Sequence, residues 1–146
     1  MQRLKLRDAT PADREFLVSL AREAYREVLA AQFDGWKEEV HGDRFAEKVA
    51  TLPFRIAELD GVPVGTLSTC LEGGHLRVNE IVVSPDFQNR GLGSELLTGV
   101  FAQARAAGVP VRLHTFRLNR ALAFYERHGF VVTARNPDYV DLEWTG

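Results

Sequence analysis

Residues Glu80 to Ser94 constrain this chain more than any other stretch. Glu80-Ile81-Val82-Val83 reads as the end of an apolar strand and Ser84-Pro85-Asp86 as a turn. Phe87-Gln88-Asn89-Arg90-Gly91-Leu92-Gly93-Ser94 is a glycine-punctuated loop that opens directly into an apolar helical stripe. A strand, a Gly loop and a helix start in that order aim free backbone N–H groups and the positive end of a helix dipole at one point. That arrangement suits a phosphate. Gly91 and Gly93 remove the Cβ atoms that would hold an anion away from the backbone.

The commoner phosphate loops do not fit. A dinucleotide-binding fingerprint needs a third glycine after Gly93, and a P-loop needs a lysine before Ser94. The pattern is instead Gln-x-x-Gly-x-Gly over residues 88–93.

The flanking chain sorts by hydrophobic period. Gln2 to Arg7 alternates as a half-buried strand, and Thr10-Pro11 suits the cap and first residue of a helix. Phe16, Leu17, Leu20, Ala24 and Val28 form that helix's inward stripe, which runs to about Ala31 before Asp34-Gly35 interrupts it. A second helical pattern spans Trp36 to Ala50. Phe54–Leu59, Val64–Leu71 and His75–Val83 read as an antiparallel meander, with Gly65 marking a bulge or close approach. Leu92, Leu96, Leu97, Val100, Phe101 and Ala104 share one face of the helix after the loop, which Gly108 ends. Val109–Phe116 is a strand, Arg120–His128 a helix with Asn119 as cap, and Phe130–Arg135 and Tyr139–Trp144 two closing strands. The expected order is β-α-α-β-β-β-α-β-α-β-β, an α/β (α+β) fold. A right-handed crossover makes the strands before and after the Gly-loop helix a parallel pair in a mostly antiparallel sheet.

With 146 residues, the chain fits one domain spanning 1–146. A net charge of −2 argues against nucleic-acid binding driven by bulk charge, and no stretch is a membrane-span candidate. Cys70 is the one cysteine, and the first residues lack a signal-peptide core, so the expected location is cytoplasmic. His41, His75, His114 and His128 lack metal-ligand spacing, so no metal is expected.

Two motifs then identify a family. Gln88-x-x-Gly91-x-Gly93 resembles the Gln/Arg-x-x-Gly-x-Gly/Ala loop of the GNAT superfamily of acyl-CoA-dependent N-acyltransferases. Ala121-Leu122-Ala123-Phe124-Tyr125-Glu126-Arg127-His128-Gly129-Phe130 resembles that family's Ala-x-x-x-Tyr-Glu-x-x-Gly-Phe segment. The whole element order is also that of the GNAT fold, with a central parallel pair that splays apart. The family asparagine usually stands three residues before the matching alanine; here Leu118 has that place and Asn119 stands two before Ala121.

The resemblance implies acetyl-CoA as cofactor and acetylation of a primary amine by direct attack in a ternary complex. It implies that the backbone of Gln88, Asn89, Arg90, Gly91, Leu92, Gly93 and Ser94 holds the pyrophosphate, with Arg90 adding charge. It implies that Ile81, Val82 and Val83 line the pantetheine, with Asn119, Phe124 and Tyr125 also at the cofactor. Catalysis falls to Glu80, as base for the acceptor amine, and Tyr125, as proton donor to the leaving thiolate. A phenol with an ordinary pKa near 10 is protonated at neutral pH.

The acceptor wall is expected between Tyr25 and Arg44, with Phe33, Trp36 and Glu80 as candidate contacts. Its aromatics with Glu38, Glu39 and Asp43 suit a cationic amine, although packing and solvated acids explain the same residues. The expected partner is a small-molecule amine, for a monomer or homodimer. A protein N-terminus or lysine is the alternative, favoured by an open groove between this wall and Asn136–Asp138. A non-catalytic acyl-CoA sensor and another phosphate-ligand domain are the remaining readings.

Overall fold

Period-two alternation resolves into seven strands of one sheet in the computed structural model, which describes residues 3–146. The strands are β1 (Leu4–Asp8), β2 (Arg55–Leu59), β3 (Val62–Glu72), β4 (His75–Val83), β5 (Val111–Phe116), β6 (Val131–Arg135) and β7 (Tyr139–Trp144). Gln2, expected in the first strand, lies outside the described residues. The spatial order is β1-β2-β3-β4-β5-β7-β6, and β4 with β5 is the parallel pair. The helices are α1 (Arg14–Gln32), α2 (Asp43–Thr51), α3 (Leu92–Ala107) and α4 (Ala121–Arg127). Fold class and element order are those expected.

Two clusters hold the layers together. Leu76, Val78, Val111 and Leu113 of the sheet pack with Leu92, Leu96, Leu97, Val100 and Phe101 of α3 and with Tyr125 of α4. Leu17 and Ala21 of α1, Phe45 of α2, Phe54, and Ile56 of β2 form the second. Burial of these side chains is the main favourable contribution to folding.

Several boundaries move for local reasons. Asp60 and Gly61 both take positive φ, +52° and +80°, so a two-residue hairpin turn lets β3 start at Val62 rather than Val64. The second helix starts at Asp43, not Trp36. Before it, Glu38–Gly42 forms a wide π-helical turn, with the Gly42 N–H 3.4 Å from the Lys37 carbonyl. The Glu38 carboxylate folds back over Gly42, where a Cβ would lie 2.5 Å from it. It accepts from Trp36 Nε1 at 2.8 Å and Arg22 Nε at 2.5 Å. Helix α4 runs Ala121–Arg127, inside the expected span. Cys70 is partly exposed.

A bulge in β4 aims the chemistry. Ser68 pairs with Glu80 and Thr69 with Val78, so Asn79 is an extra residue in β4. Before it, Leu76 and Val78 join the α3 cluster; after it, Ile81 and Val83 pack on that cluster. The inserted residue therefore reverses which parity faces α3. Glu80 turns to the opposite face, where α1 and α2 reach it.

Candidate active site

Strands β4 and β5 pair only at Leu76↔Val111 and Arg77↔Arg112; farther along, β5 pairs with β7 alone. The two strands part, and a cleft of about 820 Å³ opens where β4 backbone has no strand partner on that side. Its walls include Ile81, Val82 and Val83, the Gly loop, the end of β5 and one face of α4.

The loop is braced from several sides. Asn89 and Gly91 take positive φ, +63° and +79°, which turns the chain so that α3 starts at Leu92. Gln88 Nε2 donates to the Val83 carbonyl at 3.0 Å. Arg3 donates to the Arg90 carbonyl at 2.6 Å, and the Leu4 N–H to Glu95 at 2.7 Å, which ties the loop to β1. A Cβ on Gly93 would come 3.1 Å from the Phe124 ring, so the missing side chain lets α4 press against the loop. Ser94 Oγ lies 2.8 Å from His128 Nε2, and His128 Nδ1 lies 2.8 Å from the Phe124 carbonyl. A carbonyl only accepts, so Nδ1–H donates to it, and in that tautomer Nε2 accepts a hydrogen bond from the Ser94 hydroxyl.

Of the expected loop residues, Gln88, Asn89, Gly91, Leu92, Gly93 and Ser94 line the cleft. The Arg90 side chain does not: its guanidinium lies 5.1 Å from the Phe87 ring centre and reaches back to the Asp86 carbonyl. Phe124 and Asn119 do line it. Both ends of the Asn119 amide are occupied, with Nδ2 donating to Thr115 Oγ1 and Oδ1 accepting from the Ala121 N–H, each at 2.9 Å. Asn119 thus satisfies the first N–H of α4 and ties it to β5, although the N-cap position expected for it is held by Arg120.

Tyr125 and Glu80 meet in the same cleft from α4 and β4. Tyr125 is 7% exposed, and among the described residues its hydroxyl has no hydrogen-bond partner; it faces the cleft. Burial, then the Glu80 charge, pushes its pKa well above the ordinary tyrosine value, so the phenol stays protonated. Glu80 is 5% exposed. Its Oε1 accepts from the Tyr25 hydroxyl, and its Oε2 lies 3.0 Å from Lys48 Nζ, which also donates to the Asn79 carbonyl at 2.7 Å. Burial, then the charge of Glu80, keeps Tyr25 protonated too. Sequence reasoning missed Tyr25 and Lys48 because nothing local ties either to Glu80.

The acceptor wall differs from its expected composition. Trp36 lines the cleft, but Phe33 does not; it packs edge-on against Phe116, ring centres 5.8 Å apart. Glu38, Glu39 and Asp43 lie outside the lining, whereas Arg44 and Lys48 are in it. Tyr25, Phe116 and Tyr139 form an aromatic run there. Desolvation, then the Arg77 guanidinium 2.8 Å from its Nδ1, lowers the pKa of His114. Gln32 bridges the rim, accepting from the Leu118 N–H at 3.0 Å and donating to the Asp138 carbonyl at 2.6 Å.

Comparison with known proteins places this geometry. The profile of the acetyltransferase (GNAT) family matches residues 15–130. The chain is 31% identical over 107 residues to the tRNA(Met) cytidine acetyltransferase TmcA of Aeropyrum pernix, a match covering 56% of this chain and 15% of that protein. The fold superposes on the PaiA N-acetyltransferase of Thermoplasma acidophilum, solved with coenzyme A, with a TM-score of 0.79 at 20% identity over 99% of each chain. It also resembles the ribosomal-protein-S18-alanine N-acetyltransferase of Escherichia coli, with a TM-score of 0.69 at 20% identity over 97% of this chain and 92% of that one.

Proposed function

The chain belongs to the GNAT acetyltransferase family, enzymes that draw on acetyl-CoA, and from that premise we propose that it acetylates a small-molecule primary amine by direct transfer. The observation that carries this reading is the convergence of Tyr125 and Glu80 on one cleft, beside a Gly loop and a strand edge left free by the β4–β5 splay.

The residues present fit acetyl-CoA. The loop over Asn89–Ser94 presents backbone N–H groups at the start of α3, as a diphosphate requires, while the Gln88 N–H is taken by the Pro85 carbonyl at 3.3 Å. The backbone of Ile81–Val83 pairs with β3 on one side and has no strand partner on the side facing the cleft, which suits the amides of a pantetheine arm that can add like a strand. Tyr125, whose hydroxyl has no hydrogen-bond partner among the described residues, offers a donor suited to a thioester sulfur. Acetyl-CoA supplies an activated acyl group, and the chain's own residues do the rest. Glu80 accepts the proton of the acceptor ammonium, directly or through a water, and so frees the nitrogen lone pair for attack. Tyr125 donates to the sulfur as negative charge develops on it. Lys48 and Tyr25 hold Glu80 in place from the side away from the sheet.

Support for a small acceptor comes from Gln32. It joins α1 to Leu118 and Asp138, and so bridges the groove that a protein segment would need. The test is thiol release from acetyl-CoA across a panel of small amines and peptides, with both substrates varied. Intersecting initial-rate lines with a small amine are expected. Parallel lines, or turnover with peptides alone, would contradict the reading.

A further inference from the structure

The cleft carries more positive charge than negative, although the whole chain has a net charge of −2. Its lining holds the carboxylates Glu27 and Glu80 against the cations Arg44, Lys48, Arg120 and Arg127. Three of these cations have a counterpart or a place. Lys48 holds Glu80 at 3.0 Å. Arg120 lies 3.5 Å from Glu27. Arg127 lies over the Phe124 ring, which packs on Gly93 at the phosphate end. Arg44 remains. It stands one helical turn before Lys48 on α2 and lines the acceptor end of the cleft. Among the described residues Arg44 forms no ion pair, unlike Arg3, Arg7, Arg22, Lys48, Arg112 and Arg120.

We propose that the acceptor is a small primary amine that also bears a carboxylate or phosphate, and that Arg44 recognises that anion. Glu80 cannot draw a polycation into the cleft, because Lys48 cancels its charge at contact distance. A second ammonium on the acceptor would meet Arg44 instead. An anionic group there forms a charge-assisted hydrogen bond, and guanidinium geometry suits both carboxylate and phosphate. Residues four apart on a helix stand roughly 6 Å from each other. An acceptor with its amine at Glu80, beside Lys48, therefore needs only a short spacer to put its anion on Arg44.

This inference rests on the acetyl-transfer reading above. Its test is thiol release from acetyl-CoA with matched amines: 4-aminobutyrate against 4-aminobutyramide, 2-aminoethyl phosphate against ethanolamine, and 1,4-diaminobutane. At least one anionic amine should exceed its neutral mate by about tenfold in kcat/KM, and Arg44→Gln should cut that ratio by about fivefold, as expected for a charge-assisted contact open to water. Arg44 is exposed, so the variant's melting temperature should match the parent's. Preference for the neutral amines or the diamine overturns the assignment and leaves acetyl transfer standing. So does an anion preference that survives Arg44→Gln. Thiol release with none of these amines overturns both.

Discussion

The Lys48 ammonium donates to Glu80 Oε2 across 3.0 Å, joining α2 to the bulged strand β4. The pair is asymmetric, because the Glu80 side chain is almost fully buried while that of Lys48 is about a third exposed. Removing one partner leaves a buried charge without its counterpart, which is costlier than losing the pair's net attraction. Lys48→Met should lower unfolding stability by about 2 kcal/mol, less than a fully buried pair would lose because water still reaches Lys48. Adding Glu80→Gln to Lys48→Met should restore part of that loss. Denaturant midpoints of the two single variants and the double variant check this; strictly additive losses would show that the pair is not coupled.

Tyr125→Phe removes one hydroxyl that has no partner among the described residues, so the fold should not register it. Loss of a proton donor to the thiolate should lower kcat by about a hundredfold. Coenzyme A should still raise the melting temperature by the parent's increment. Equal turnover in the variant would remove Tyr125 from the mechanism.

Gly65 faces the bulged strand so closely that a Cβ would lie 2.4 Å from the Val82 carbonyl. Gly65→Ala must push β3 and β4 apart, at a cost of about 1–3 kcal/mol. The displaced backbone is the Ile81–Val83 segment that faces the cleft. Thermal unfolding should show the destabilisation, and calorimetric titration should show weaker binding of coenzyme A.

Acid should unfold the protein partly through Asp13. The Arg7 guanidinium, followed by the Thr10 N–H, lowers its pKa from 3.8 to about 2. A carboxyl with a depressed folded-state pKa adds stability above its unfolded value and loses it as pH falls through the folded one. That contribution should disappear between pH 3.8 and about 2. Denaturant titrations through this window should show a smaller pH slope for Asp13→Asn than for the parent.

The sequence made legible what is local or periodic. The Gly loop and the Tyr125 segment each lie in one short run, and both mark the cleft. The parallel pair followed from one crossover rule. Asn79 escaped notice because a one-residue bulge leaves the hydrophobic text of β4 looking like ordinary alternation. Tyr25 and Lys48 escaped because they meet Glu80 across 55 and 32 residues, set by α1 and α2 packing rather than by any motif. Phe33, Arg90 and the acids Glu38, Glu39 and Asp43 show the converse: residue type suggested a role, but side-chain direction took them off the cleft wall. The helix boundary at Trp36 failed because Glu38, folded over Gly42, bonds Arg22 and Trp36 in a turn wider than an α-helix.

A crystal structure with coenzyme A tests the acyl-transfer site most directly. The diphosphate should lie on the backbone of Asn89–Ser94, the pantetheine along Ile81–Val83, and the sulfur within about 3.5 Å of the Tyr125 hydroxyl, hydrogen-bond range for sulfur, with the way to Glu80 left open. Coenzyme A bound elsewhere, or with its sulfur turned away from both Tyr125 and Glu80, would contradict it.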